Sequence, residues 1–396
     1  MPLWLSDEMI NEANLEALEA ATGLAVTPTS IVRLARQTSP EAARWAFTQW
    51  ELRKRARAKF AKADEMLFTR EALEQATDER LARFHAIQFP MGAKVADLTV
   101  GIGADLIAIA AEHEAVGYEI DPERAEYARW NLKQHGLEAE VRERDCLEVD
   151  WDFEYAFADP SRRASGKRTL DPEQFSPNLK ALAEKMSHLE LGIIKLSPML
   201  PDRFLETIGR RQEFLSLDRE CREVLVFVGK DQAHGDGAMD NSVWVRHCGT
   251  GLLLGNFGHA HRTVDSPGAF LFDADPGAVR AGCLGELCHQ HSLSQLGDSN
   301  GYLTGDRVES EWLQGFEVLD HGRYDLAELR RKLIELESAT PVLKQRHVGL
   351  DLQKLSKQLT SEGNRQLTVA FYPVGKSIRF AILNPLRALG GPSSPS

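Results

Sequence analysis

One short stretch constrains the fold of this chain more than any other: residues 95–105 combine an apolar strand, a tight glycine turn and the start of a helix. Gly101 and Gly103 form the turn. Glycine lets a ligand approach the backbone closely, and parallel α/β sheets bind ligands at the edge where such turns lie. A dinucleotide fingerprint would have a third glycine where Leu106 stands, so the turn indicates a cofactor site without defining the cofactor.

Acidic residues follow the next two predicted strands. Glu119 lies 18 residues after Gly101, where an acid commonly accepts hydrogen bonds from ribose hydroxyls. Asp121 has a different predicted role, because Pro122 follows it and Gly136 lies past the far end, which is typical of an N-cap, a first-turn proline and a C-terminal stop. Asp145 ends the third strand, where a carboxylate can accept a hydrogen bond from an adenine amino group.

The alternation of strand-like and helix-like residue patterns predicts an α/β protein. We expect a helical region over 1–89, then a doubly wound, Rossmann-like sheet of about seven strands over 90–262, since short β-type runs alternate there with helical patterns. Residues 263–317 are rich in glycine and predict an irregular connection. A small α+β domain is expected over 318–389, followed by a flexible tail at 390–396.

Charge is distributed unevenly along the chain. The whole carries 47 basic and 59 acidic residues, a net charge of -12 that disfavours nonspecific binding to phosphate backbones or anionic lipid. Residues 330–396 nevertheless hold 11 basic and 4 acidic residues, so this end is +7 and the remainder is -19. A second basic run lies between Arg53 and Lys62, and it is either a solvated helix face or a phosphate contact.

The chain has neither a predicted signal peptide nor a long apolar run, and its five cysteines are odd in number, so we expect a cytoplasmic protein with free thiols and no membrane partner. The cysteines predict neither a catalytic nucleophile nor a metal site. Cys221 is too far along the chain for a catalytic nucleophile and is interpreted as a core thiol. Cys283, Cys288, His289 and His291 have a poor zinc spacing, so no metal is predicted.

The end of the fourth strand, Ala158-Asp159-Pro160-Ser161-Arg162-Arg163, carries the predicted chemistry. It resembles the Asp-Pro-Pro-aromatic motif of enzymes that methylate exocyclic amines and the Asp-Pro-Pro-Arg form of RNA base methyltransferases. In such a motif a carboxylate and a following carbonyl orient a poorly nucleophilic nitrogen. Here Arg162 replaces the stacking aromatic. The loop has three further basic residues, Arg163, Lys167 and Arg168. Together with Arg162, they either contact substrate phosphate or belong to an ordinary solvated loop.

Taken together, these residues resemble the successive motifs of class I S-adenosylmethionine-dependent methyltransferases. The helical leader and basic C-terminal module further resemble the bacterial members that carry a THUMP-like domain, a type of domain associated with RNA binding. The resemblance implies a catalytic set and a set that binds S-adenosyl-L-methionine. The catalytic set is Asp159, Pro160 and Arg162, and the cofactor set is Asp97, Thr99, Gly101, Gly103, Glu119, Asp145, Gln75 and Thr77.

The expected function is methylation of a base in tRNA or rRNA, with the C-terminal module binding the RNA. Two alternatives stay open at this point. The substrate could be a small molecule or a protein, or the chain could be a non-catalytic RNA-binding protein that retains a cofactor pocket.

Overall fold

The structure is a computed structural model, and it describes residues 10–161, 163–164, 167–168, 174–230 and 242–386. The helices are α1 (Glu12–Ala20), α2 (Pro28–Gln37), α3 (Pro40–Ala56), α4 (Arg70–Gln75), α5 (Glu79–Ala86), α6 (Ala104–Glu112), α7 (Pro122–Gln134), α8 (Leu179–Met186), α9 (Asp202–Ile208), α10 (Pro276–Arg280), α11 (Leu284–His291), α12 (Leu326–Glu335) and α13 (Leu352–Gln358).

The strands begin with those of the predicted core: β1 (Lys94–Asp97), β2 (Glu114–Glu119), β3 (Glu140–Glu143), β4 (Tyr155–Ala158), β5 (Arg163–Ala164), β6 (Lys167–Arg168), β7 (Leu191–Leu196), β8 (Arg211–Leu217), β9 (Glu220–Val228), β10 (Val243–His247) and β11 (Leu253–Gly255). The later strands are β12 (Thr263–Val264), β13 (Phe270–Ala274), β14 (Ser294–Leu296), β15 (Tyr302–Gly305), β16 (Leu313–Arg323), β17 (Val342–Gln345), β18 (Thr368–Val374) and β19 (Ser377–Pro385).

The chain divides into two compact units. The first comprises Met1–Arg211 and Leu225–Asn241, and the second comprises Gln212–Val224 and Ser242–Ser396. The boundary passes through β9.

The sheet of the first unit has the order β9-β7-β4-β1-β2-β3. The pairs β1 with β2, β1 with β4, β2 with β3 and β4 with β7 are all parallel. Parallel strands place their carboxyl ends at one edge, so the residues that end β1, β2, β3, β4 and β7 lie at the same edge of the sheet. This confirms the predicted alternation of strands and helices, whereas the expected count of seven strands is not confirmed.

The helical leader of the first unit shares a hydrophobic core with the glycine loop and with helices α6 and α7. Apolar residues of α1 to α4 pack in one cluster with Ile102, Ala104 and Tyr127, which come from the glycine loop, α6 and α7. The Tyr127 hydroxyl accepts a hydrogen bond from the Trp45 indole at 2.9 Å. Burial of this shared surface stabilises the packing of the leader on the loop and the two helices. Helices α1 to α5 confirm the predicted helical character of this region.

The basic run of the leader is largely occupied by internal bonds. Arg53 is buried and donates to the Met66 carbonyl at 2.8 Å, and Arg57 forms an ion pair with Asp64 at 2.9 Å. Lys59 donates to the Leu73 and Ala76 carbonyls, and Lys62 to that of Gln134. These side chains satisfy backbone carbonyls and acids of the same unit, so the structure does not support a phosphate-contacting face here.

In the second unit, β8 pairs parallel to β10, which pairs antiparallel to β11. A larger sheet has the order β12-β14-β15-β13-β16-β19-β18-β17. Helices α12 and α13 pack on one face of this sheet through a leucine-rich cluster that includes Leu329, Leu333 and Leu355. Residues 263–317 hold β12 to β15, α10, α11 and the start of β16, so the predicted irregular connection is wrong. Most of these elements are short, which hides their periodicity in the sequence.

Candidate active site

The glycine loop after β1 adopts the backbone that its sequence predicts. Gly101 has φ +57° and Gly103 has φ +89°, both in the left-handed region that side chains rarely adopt. Gly103 is also the N-cap of α6. The loop therefore turns sharply from β1 into α6, with the amides of its first helical turn near the carboxyl edge of the sheet.

Glu119 braces this loop. Its carboxylate accepts hydrogen bonds from the Gly101 amide at 2.7 Å and the Asp121 amide at 2.9 Å. Burial raises the pKa of Glu119 above its ordinary value. Asp121 itself accepts from the Arg124 amide and caps α7, with Pro122 in its first turn, which confirms the predicted cap. The predicted contact of Glu119 with ribose stays a prediction, and the structure adds a loop-bracing role.

Asp97 ends β1 as a buried carboxylate with one unsatisfied oxygen. Its Oδ1 atom accepts from the Thr99 amide at 3.0 Å, while Oδ2 is buried without a hydrogen-bond partner in the described part of the chain. Burial, and then the negative charges of Asp105, Asp159 and Glu119, raise the pKa of Asp97 well above its ordinary value. A nearby cationic group would stabilise this carboxylate, which fits a cofactor that carries a sulfonium and an amino group.

A cavity that opens to solvent lies at this edge of the first unit, and the empty space in it and in its open mouth together is about 890 Å³. Seven residues predicted to act in cofactor or acceptor binding line it: Gln75, Thr77, Thr99, Gly101, Glu119, Asp145 and Asp159. Asp97, Gly103 and Pro160 are outside this lining, and Arg162 lies outside the described residues.

One part of the cavity wall suits an aromatic base. Ile120 is 68% exposed although it is apolar, and it lines the cavity together with Asp145 and Cys146. Asp145 accepts a hydrogen bond from the Leu147 amide at 2.8 Å. An apolar surface beside a carboxylate combines stacking with hydrogen-bond acceptance, which is what an adenine ring with its amino group requires.

Asp159 is held by two strong polar contacts. Its amide donates to the Thr99 hydroxyl at 2.6 Å, and its Oδ2 atom accepts from the Lys195 ammonium at 2.6 Å. Lys195 also donates to the Thr77 hydroxyl at 2.8 Å. The Lys195 side chain is 12% exposed and that of Asp159 is 31% exposed, so this ion pair is partly shielded from water.

Lys195 was missed by reasoning from sequence. It lies in Leu191–Leu196, a strand of otherwise apolar residues. A lysine in a buried parallel strand is costly unless it is paired, and this was the available signal. The partner could not be inferred, because Asp159 and Thr77 are 36 and 118 residues away in the chain.

The cysteines of the chain are unsuited to nucleophilic catalysis. Burial raises the pKa of Cys221 to about 12, so the reactive thiolate is scarce at neutral pH. Among the described residues, no group of three or more His, Cys, Asp or Glu side chains is arranged to hold a metal ion. Nor does that part of the chain include a helix long and apolar enough to cross a membrane.

Comparison with solved structures identifies the fold. The crystal structure of a proposed methyltransferase from Porphyromonas gingivalis W83 superposes with a TM-score of 0.76, covering 96% of this chain and all of the other at 19% identity. At that identity the likeness shows the fold alone, an α/β methyltransferase-like fold. No known protein-family profile matches the chain.

Sequence relatives give the family. Uncharacterized S-adenosylmethionine-dependent methyltransferases from two strains of Mycobacterium tuberculosis, CDC 1551 and H37Rv, are each 30% identical over 343 residues. The match covers 84% of this chain and 93% of either relative. This chain belongs to the S-adenosylmethionine-dependent methyltransferases. It is therefore an enzyme, and its cofactor is S-adenosyl-L-methionine.

Proposed function

We propose that the enzyme methylates a base in tRNA or rRNA, and that its C-terminal THUMP-like module binds the RNA. The observation that carries this proposal is a set of exposed cations in that module. Arg330 on α12, and Lys354 and Lys357 on α13, are exposed, and their side chains form no ion pair or hydrogen bond within the described residues. Unneutralised cations attract phosphate and release counterions when they bind it.

The two helices present these cations on the same side of the second unit. Both α12 and α13 pack on one face of the large sheet, through Leu329, Leu333 and Leu355. Other basic residues of the module are already paired, since Arg331 contacts Glu335 and Lys332 contacts Asp320. The exposed faces of α12 and α13 are thus the proposed RNA-binding surface, and we call them the helical cation face.

The active site supports transfer to a positioned nitrogen. When bound, S-adenosyl-L-methionine supplies an electrophilic methyl group attached to a sulfonium. Residues of the cavity wall would hold it: Gln75, Thr77, Thr99, Gly101, Glu119 and Asp145. Asp159 would accept a hydrogen bond from the acceptor N–H, and its ion pair with Lys195 keeps the carboxylate oriented. Positioning of this kind supplies much of the rate in such a displacement.

The proposal is tested by labelling. The full-length enzyme is incubated with isotopically labelled S-adenosyl-L-methionine and total RNA from a strain that lacks it, and labelled nucleosides are identified by mass spectrometry. A single labelled nucleoside in tRNA or rRNA is expected. Label confined to small metabolites or to protein would favour the alternative substrates, and cofactor binding without any label would favour a non-catalytic RNA-binding protein.

A charge variant tests the helical cation face. Replacing Arg330, Lys354 and Lys357 with glutamine is expected to weaken RNA binding about uniformly across sequences and to lower the slope of log K against log salt by about 2 to 3. Filter binding at several salt concentrations measures both. The matched control, R33Q/R36Q/K54Q, removes three exposed cations from the leader. Equal losses in the two variants would show only an effect of net charge.

A further inference from the structure

A second buried carboxylate lines the cavity and has no part in the function proposed above. Asp105, in the first turn of α6, is only 7% exposed. It accepts a hydrogen bond from the Thr77 hydroxyl at 2.7 Å, and its other oxygen pairs with Nδ1 of His85, also at 2.7 Å. Both partners come from the helical leader, whereas Asp105 follows the glycine loop.

Asp105 remains charged although it is buried. Burial by itself raises the pKa of a carboxyl group, but the hydrogen bond and charge of His85, the charge of Lys195 and the Thr77 hydroxyl together hold the pKa of Asp105 below its ordinary value. His85 is fully buried and stacks on Phe157 with ring centroids 4.8 Å apart. A charged acceptor forms stronger hydrogen bonds than a neutral one, so the hydrogen bond from the Thr77 hydroxyl to Asp105 is expected to be strong.

Thr77 ends a short segment of the cavity wall. Gln75, Ala76 and Thr77 all line the cavity. Lys59 fixes the start of this segment by donating to the Leu73 carbonyl at 3.0 Å and the Ala76 carbonyl at 2.7 Å. At the other end, Thr77 is 4% exposed and is fixed by Asp105 and by Lys195.

We propose that Asp105 is a positioning residue for cofactor binding, which acts by holding Thr77 and, with it, residues 75–77 in the wall of the cavity. The bond joins the leader to the helix that follows the glycine loop, so one side of the cavity keeps its shape before the cofactor arrives. Such preorganisation lowers the ordering cost of binding. The inference concerns the cofactor and is independent of whether the acceptor is RNA.

The test measures binding of S-adenosyl-L-methionine to the full-length protein by isothermal titration calorimetry, without RNA. Thr77→Val, which keeps the shape of the side chain but loses the hydroxyl, is expected to raise Kd about 10-fold. Thr77→Ser keeps the hydroxyl and is expected to bind within about threefold of the parent. Asp105→Asn is expected to weaken binding at least as much as Thr77→Val, because it removes the charge that strengthens the bond.

The double variant T77V/D105N tests whether Thr77 and Asp105 affect cofactor binding through the hydrogen bond that they share. Because both changes break the same bond, the double variant is expected to bind no more than about threefold worse than Asp105→Asn alone. Thr38→Val is the matched control, since Thr38 donates to the Leu34 carbonyl at the end of α2 and is outside the cavity lining. Its Kd is expected to equal that of the parent.

Circular dichroism and thermal melting accompany each titration. If Asp105→Asn does not fold, the comparison of Thr77→Val with Thr77→Ser still tests whether the Thr77 hydroxyl supports cofactor binding. Folded Thr77→Val that binds within twofold of the parent would overturn the proposal, and so would a Thr77→Ser variant as weak as Thr77→Val. Because no RNA is present, a failure of the RNA proposal leaves these titrations unaffected.

Discussion

Replacing Asp159 with alanine is expected to lower methyl transfer at least about 100-fold, the usual scale for loss of a positioned acid or base group, while the Kd for S-adenosyl-L-methionine stays within about threefold. In the proposed mechanism the carboxylate orients the acceptor, and its removal leaves the mostly buried Lys195 ammonium without this partner. Transfer is measured as labelled methyl groups in whichever fraction of a cell extract the parent enzyme labels, and cofactor binding is measured by calorimetry.

A neighbouring acid provides the control for this experiment. Asp152 lies before β4, is exposed, and forms an ion pair with Lys94 at 2.8 Å. Asp152→Ala changes the net charge as much as Asp159→Ala but alters a residue outside the cavity lining. Its transfer rate is expected to match that of the parent. Transfer by Asp159→Ala at more than a third of the parent rate would remove Asp159 from the proposed mechanism.

Asp97 is expected to lower the stability of the cofactor-free protein and to strengthen cofactor binding. Burial raises the pKa of Asp97 in the folded state, so folding disfavours the charged form of this carboxyl group. The parent therefore loses stability as pH rises from the unfolded-state pKa of about 3.9 through the higher folded-state pKa. Asp97→Asn has no such charge. Without cofactor, its free energy of unfolding is expected to exceed that of the parent by about 1–3 kcal/mol at pH 8, with a smaller difference at pH 5.

The same substitution is expected to raise the Kd for S-adenosyl-L-methionine at least about 10-fold, because the neutral amide no longer attracts a cationic cofactor. Urea unfolding between pH 5 and 8 gives the stability difference, and calorimetry at pH 8 gives the affinity. Glu143→Gln is a useful comparison, since it removes an exposed carboxylate that ends β3 and pairs with Arg129. An Asp97→Asn variant that is less stable than the parent at pH 8 would refute the prediction that the Asp97 carboxyl group destabilises the folded protein.

The cofactor edge of the cavity could be predicted from the sequence because its signals are local. Glu119 ends a strand, and Gly101, Asp145 and Asp159 each lie shortly after one. Parallel pairing then brings these strand ends together. The cap at Asp121 was predictable for the same reason, since a cap is set by its immediate neighbours. Such patterns need no knowledge of tertiary contacts.

The polar network behind that edge was beyond sequence reasoning. The bond between Thr77 and Asp105 spans 28 residues, and that between Lys195 and Thr77 spans 118. Charge pattern alone was also ambiguous in the leader, where Arg53 and Lys59 satisfy carbonyls inside the unit. Whether a basic side chain faces solvent or a backbone carbonyl depends on packing, which a single sequence does not specify.

The core that the leader shares with the glycine loop, α6 and α7 also determines how the first unit unfolds. Residues such as Phe47 and Leu67 of the leader are buried in the same cluster as Ile102 of the glycine loop. Removing the leader would expose the apolar surface beneath that loop, so the two parts are expected to melt in one transition and to resist separation by limited proteolysis. The leader is thus expected to be a structural part of the methyl-transfer fold and not an appendage that folds by itself.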